Sequence, residues 1–394
     1  MGNRIPALTN GSARGGTAEG RNAGHGGKPL KKRPAGVAWL ALIVAAVVVA
    51  LLTTLLPGRS PPPPRAVVAS LPFWNITQGS DTVLAHKGDF TEVSPWMYGL
   101  SANGVQINTQ YPPGTSGAVN QELTRLRAAG MRIVPTLANV TNGTFTYQPV
   151  ASMLHNPTLM KQHIAAIVDL VRAHDYAGID IDYENLRAGD RQAFTTFITD
   201  LGHALHAHHK MLSVAVFAKT TNAGVDPRNV AQNFAAIGRV ADQVRIMAYD
   251  YHWATSPPGP VAPLPWVRSV LKYAKSQIPA RKIILGVPLY GYDWSGGKAQ
   301  AVTWLGALRL ARAHHVTARY DNRAQAPWFS YTDASGQRHQ VWFENQASSE
   351  AKFGVALGSQ IGGVYLWMFG YEQPGTWPAL AKTLPVPAPK ASGS

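Results

Sequence analysis

The chain has 394 residues, 45% of them hydrophobic and 14% charged, enough to build one large domain or two modest ones around a sizeable core. It has no cysteine, which excludes disulfides and thiolate metal sites. The net charge is +15, yet no concentrated basic motif of the kind that reads nucleic acid accompanies it. Nucleic acid is therefore not an expected partner, and an anionic surface such as a cell wall or lipid head groups suits the charge better.

Residues 1–35 carry seven Lys/Arg and one Glu, are rich in Gly, Arg and Asn, and lack apolar periodicity, so they read as a disordered basic tail. Residues 36–56, GVAWLALIVAAVVVALLTTLL, supply about the 20 apolar residues that span a bilayer. A cleaved signal would have a shorter apolar stretch and a small-residue cleavage site, so the run predicts an uncleaved transmembrane signal-anchor helix. It is apolar on every face, which argues against a surface helix packed on a core. Lys31, Lys32 and Arg33 stay on the cytoplasmic side, so the rest of the chain is expected outside the cell membrane, as a single-pass protein. Residues 57–65, PGRSPPPPR, form a stiff spacer.

Beyond the spacer, apolar runs recur near Val67–Trp74, Glu92–Gly99, Arg132–Ala138, Gly178–Tyr183, Leu212–Ala218, Gln243–Tyr249, Ile283–Leu289 and Gly363–Met368. Amphipathic helical patterns lie between them, as over 158–174 and 190–209. Strands buried on both faces and alternating with helices predict parallel β/α units, and eight of them predict a (β/α)8 TIM barrel over 66–385. About 70 residues separate the seventh run from the eighth. They hold a helical piece, Val302–His314, and a hairpin, PWFSYTDASGQRHQVWFEN, and predict a small α+β insertion at about 295–360. Residues 386–394 read as a disordered tail.

The stretch AGIDIDYENL, 177–186, places Asp180, Asp182 and Glu184 two residues apart in an apolar setting. In a strand these three share one face, roughly 6–7 Å between successive members. Burying unpaired carboxylates is costly, so such a row is expected where neighbours raise the pKa of one carboxyl and leave another ionised. Its position at the C-terminal end of the fourth strand is where a barrel of this kind carries its chemistry.

GIDIDYE resembles the strand-four signature D-G-x-D-x-D-x-E of glycoside hydrolase family 18, which includes chitinases. MAYDYHW (247–253), GVPLYGYDW (286–294) and GGVYLWMFG (362–370) are similar to the family's strands six, seven and eight. YENL, SPWMYG (94–99) and APWFSYTD (326–333) look closest to its bacterial branch acting on peptidoglycan, including spore-cortex glucosaminidases. The resemblance implies a retaining, substrate-assisted hydrolase of β-1,4-linked N-acetylglucosamine polymers, with peptidoglycan before chitin, working as a monomer without cofactor or metal. It further implies that Glu184 is the acid/base, that Asp182 orients the sugar's acetamide, and that Asp180 shares a proton with Asp182. Tyr249 and Asp250 would hold the acetamido group, Trp367 would floor the sugar and Met247 would pack beside it. The first signature Asp is Ala177 here, so proton handling is expected to differ.

Plainer readings accompany these. Trp367 and Met247 could be core residues, and Tyr249–Asp250 a turn at a strand end. His203, His206, His208 and His209 read as solvated residues at the end of a helix. Two other functions compete: a catalytically silent, lectin-like barrel, and a Mg²⁺ enzyme using Asp180, Asp182 and Glu184 as oxygen ligands.

Overall fold

The structure, a computed structural model, describes residues 65–386 apart from 110, 113 and 142. The expected basic tail, anchor helix at 36–56 and nearly all of the spacer and C-terminal tail lie outside the described residues. Among the described residues, no helix is long and apolar enough to cross a membrane.

Eight parallel strands close into a barrel. They are β1 (Ala66–Pro72), β2 (Glu92–Leu100), β3 (Thr136–Ala138), β4 (Gly178–Asp182), β5 (Met211–Phe217), β6 (Gln243–Met247), β7 (Ile283–Pro288) and β8 (Gly363–Trp367). Each pairs with its sequence neighbours, and β8 returns to β1 through Ala66↔Gly363 to Ser70↔Trp367, which closes the ring. All eight predicted strands are present. The third is broken: Arg132–Ile133 and Thr136–Ala138 pair separately with β2, with a register shift between Trp96 and Tyr98.

The outward faces of the strands carry the large apolar core, where Val67, Ile179, Ile181, Val214, Val216 and Leu285 meet the surrounding helices. The helix Pro157–Ala173 shows how the sequence builds that ring. The Asn156 side chain accepts from Thr158 N–H at 3.0 Å and Leu159 N–H at 3.2 Å, Pro157 occupies the first turn, and Met160, Ile167, Val168 and Val171 are buried. Gly178 opens β4 because a Cβ there would meet Met211 O of β5 at 2.2 Å.

The insertion is a five-stranded antiparallel sheet built from residues 291–342 with the helix Trp304–Ala313 against it. The predicted hairpin is its Ala326–Thr332/Arg338–Trp342 pair. The insertion thus begins and ends earlier than the expected 295–360. The strand Gly291–Ser295 already belongs to the extra sheet, whereas the helix Gln346–Ser359 lies against β7, β8 and the last helix of the barrel.

Candidate active site

The barrel interior is polar where most are apolar. Arg245 of β6, 1% exposed, lies at its centre. Its Nη2 donates to Glu92 Oε1 at 2.7 Å, its Nη1 donates to Ser94 Oγ at 2.6 Å, and Nη1 stands 3.3 Å from Asp180 Oδ2. Asp180 also accepts from Ser213 Oγ at 2.6 Å and Thr136 Oγ1 at 3.1 Å. The register puts Thr136, Asp180 and Ser213 side by side on β3, β4 and β5, so one layer of the barrel supplies all three. A buried carboxylate is tolerable here because a cation and two hydroxyls replace its water.

Both oxygens of Asp180 thus accept from donors of other strands. Asp180 is the anionic partner of Arg245. The same occupancy weakens the Mg²⁺ reading, and among the described residues no three His, Asp or Glu side chains converge as a metal cluster. Ala177 stands far from these acids. It precedes β4 at the N-terminal end of the barrel, where its backbone bonds to Ile133 and Met211. Five residues of strand, roughly 16 Å, separate it from Asp182, so a side chain there cannot join proton transfer at the opposite end.

Asp182, 6% exposed, ends β4 one layer above Asp180. Its Oδ2 accepts from Trp96 Nε1 at 3.1 Å, and its Oδ1 is buried without a partner. Burial pushes its carboxyl up to about 7; the Trp96 N–H opposes that and the Asp180 charge adds to it.

The strand stops at Asp182, so Glu184 leaves it two residues later rather than continuing its face. Asn139, 1% exposed, holds it there. Asn139 Oδ1 accepts from Glu184 N–H at 2.7 Å, and Nδ2 donates to Glu184 O at 2.8 Å. The Glu184 carboxyl is half-buried and makes no hydrogen bond within the described protein. Burial raises its pKa well above the usual carboxylate range; the Asp182 charge adds to the rise, Arg228 opposes it, and Asp250 adds a little more.

Tyr249, Asp250, Met247 and Trp367 all line the same cavity as Asp180, Asp182 and Glu184, about 550 Å³ in volume. Tyr249 Oη lies 2.6 Å from Tyr365 Oη. Room for the two rings comes from Gly286, since a Cβ there would meet each of them at 2.9 Å. Asp250 follows β6 with φ +54°, and its Oδ1 accepts from Tyr290 at 2.6 Å and Tyr292 at 3.2 Å. Burial raises its pKa, and the two tyrosine hydroxyls oppose the rise. Trp367 meets Trp96 at 6.2 Å between centroids and Trp74, 50% exposed, at 6.4 Å. Met247 packs against Val68, Ile284 and Tyr365, so it is both core and cavity wall.

The sequence reading thus assembled its seven residues in one place and missed their supports: Trp96, Asn139, Arg245, Tyr290 and Tyr365. Trp96 lay inside the quoted motif SPWMYG, and a lone Arg in the apolar run QVRIM was a visible anomaly. Asn139 gave no signal. The exposed histidines stand apart, His206 pairing with Asp242 at 2.9 Å.

A half-buried glutamic acid just past the end of β4, a buried carboxylate with a free oxygen beside it, and aromatic walls around both define a barrel glycosidase. The profile of the glycosyl hydrolases family 18 matches residues 103–372, and the chain belongs to that family. It is 32% identical over 296 residues to the cortical fragment-lytic enzyme of Bacillus subtilis (strain 168), covering 73% of this chain and 68% of that protein. YdhD of the same organism is 37% identical over 255 residues, 62% of this chain and 60% of that protein. The chain therefore spans about 60% to 68% of the length of these two relatives. Among solved structures it is similar to the spore cortex-lytic enzyme SleL of Bacillus cereus, with TM-score 0.71 and 28% identity over 81% of this chain and 74% of that one. A chitinase from Chromobacterium violaceum gives TM-score 0.75 and 29% identity, over 81% and 99% of the two chains.

Proposed function

We propose that this chain is a retaining glycoside hydrolase that cleaves β-1,4-linked N-acetylglucosamine-containing polymers, peptidoglycan foremost, by substrate-assisted catalysis. One observation carries the reading: Asp182 Oδ1, buried and without a hydrogen-bond partner among the described residues, lies in the same cavity as a Glu184 carboxyl that no hydrogen bond from the described residues engages. An acceptor without a donor, next to an acid without a partner, is the complement of an acetamido sugar whose glycosidic oxygen needs a proton.

The steps follow from that complement. The 2-acetamido N–H donates to Asp182 Oδ1, which turns the acetamido oxygen toward the anomeric carbon. Glu184, whose pKa burial and the Asp182 charge raise well above the usual carboxylate range, gives its proton to the leaving oxygen as the glycosidic bond breaks and the acetamido oxygen forms the new C–O bond. Asp182 stabilises the positive charge that develops on the cyclised amide. Trp96 favours the charged form of Asp182, and Arg245 fixes Asp180 beneath it. The ionised Glu184 then takes a proton from water, which opens the ring at the anomeric carbon with overall retention. Family 18 is among the retaining enzymes that use the substrate as nucleophile in this way.

The names of the relatives, a cortical fragment-lytic enzyme and a spore cortex-lytic enzyme, support a wall polymer as substrate. The likeness to a chitinase supports chitin oligomers as the second. The run at 36–56 supports attachment to the cell membrane with the catalytic domain outside.

The test uses the full chain and its Glu184→Gln variant on purified walls and on chitin oligomers, with released ends identified by mass spectrometry. Reducing N-acetylglucosamine ends from the wild type, and a 10²- to 10⁴-fold lower rate for Glu184→Gln, roughly the worth of a positioned acid, are expected. No release from either polymer would overturn the reading, and tight binding without turnover in the wild type would favour a lectin-like barrel.

A further inference from the structure

The cavity that holds Glu184 continues along the segment after β5, where Phe217, Val225 and Arg228 face it together with Trp253 from beyond β6. Three cations line this cavity: Lys219, Arg228 and Arg245. Arg245 is sealed in the barrel by Glu92, Ser94 and Asp180. Lys219, 1% exposed, spends its ammonium on the carbonyls of Asn229 at 2.9 Å and Gln232 at 2.6 Å, with Asn222 O at 3.4 Å, and faces the Phe234 ring.

Arg228 differs. Asp226 takes one edge of its guanidinium: Nε lies 3.1 Å from Oδ1, and Nη2 lies 2.7 Å from Oδ2. The rings of Phe217 and Trp253 stand 4.8 and 5.6 Å from its central carbon. The group is thereby held in place, while Nη1 has no partner among the described residues. A planar guanidinium with one edge occupied still offers its end, Nη1 with the second Nη2 hydrogen, as a fork for a carboxylate. Trp253 remains 42% exposed beside it, an apolar face on which a sugar ring can rest. Glu184 and Arg228 line the same cavity, so the fork belongs to the same substrate path as the acid.

We propose that Arg228 and Trp253 form a subsite for a sugar bearing a carboxylate, and that this subsite makes the enzyme prefer peptide-free wall glycan, whose lactyl-ether carboxylates are free, over neutral chitin. The inference rests on the hydrolase reading above and deepens it. Asp226 offsets the formal charge of Arg228, so the gain comes from the directed hydrogen bonds and is modest, about tenfold in selectivity, near the lower range for one charge-assisted contact.

The probes are peptide-free wall glycan strands, the same strands with their carboxyls reduced to alcohols, and chitin oligomers. Wild type, Arg228→Gln and Arg228→Lys are compared, with melting curves to verify folding. Expected are an approximately tenfold higher kcat/KM for the carboxylated than for the reduced strands in the wild type, its disappearance in Arg228→Gln, and partial recovery in Arg228→Lys. A preference that persists in Arg228→Gln, or equal losses on carboxylated and reduced strands, would overturn the subsite. Equal losses would mean that Arg228 acts only through the acidity of Glu184. If the wild type hydrolyses none of the probes, the hydrolase reading fails, and the subsite is then read by calorimetry: carboxylated strands must bind the wild type more tightly than reduced ones, and Arg228→Gln must erase the difference.

Discussion

The side-chain amide of Asn139 replaces a strand partner for Glu184: it accepts from the backbone N–H at 2.7 Å and donates to the backbone carbonyl at 2.8 Å. β4 has already ended two residues earlier, so this clamp, and not the sheet, sets where the acid stands. A third bond, Asn139 Nδ2 to Thr146 O at 3.1 Å, ties the clamp to the loop beyond β3.

Asn139→Ala is expected to slow turnover while leaving KM within a few-fold, because displacing a catalytic group by about 1 Å costs on the order of 10²-fold in rate. It also strands two buried backbone groups, so stability should drop by about 1–3 kcal/mol. Steady-state kinetics across pH separate the effects: the alkaline limb set by Glu184 should move, which simple destabilisation would not cause. An unaltered kcat with an unaltered limb would show that Asn139 positions nothing.

Asp182 gives a stability prediction with a definite sign. Its carboxyl titrates near 7 in the folded chain against 3.8 in the free residue. Between those values the folded state keeps a proton that the unfolded chain releases, so the folded chain loses stability as pH rises through this window. Above about 7 the cost of a buried charge is complete. Asp182→Asn keeps an acceptor for Trp96 and removes the charge. The variant should match the wild type near pH 4 and exceed it by up to about 4 kcal/mol above pH 7, while losing most activity. Urea titrations at the two pH values measure this. A constant difference between variant and wild type across the range would contradict it.

Arg245 is the counterion for two buried carboxylates at once. Arg245→Met fills much of its volume but leaves Glu92 and Asp180 unpaired, so a loss of roughly 3–5 kcal/mol is expected near neutral pH. Pairing the change with Glu92→Gln should recover part of the stability. If Arg245→Met unfolds at the same urea concentration as the wild type at pH 7, the buried network contributes nothing to the fold.

The barrel was legible because its outward faces obey a local rule. Each run is apolar over about the length of a strand, helical periodicity recurs between runs, and the carboxylates of GIDIDYE break the apolar pattern at the end of one strand. Asp180 and Asp182 can be placed on one face from spacing alone, since the period of a strand is two. What each does there is another matter. Asp180 lies in the same motif as Asp182, yet Arg245, 65 positions further on, makes it a counterion.

The extra sheet shows the same division. Its hairpin could be read from the aromatic runs around Asp333–Gly336, but its first strand, Gly291–Ser295, continues a sequence that looks like barrel. Pairing with Lys298–Val302 and with Tyr292↔Trp342 assigns it to the insertion.

By itself, then, the order of residues determined which segments become strands and helices, that eight of them alternate, and that a row of acids stands at one strand's end. These follow from the local geometry of a chain whose neighbours in sequence are neighbours in space. Only the closed barrel decided which acid is paired, which keeps a free oxygen and which is held by a distant amide. Charge and proton affinity depend on every group within a few ångströms, and closure brings those groups from strands far apart in the chain.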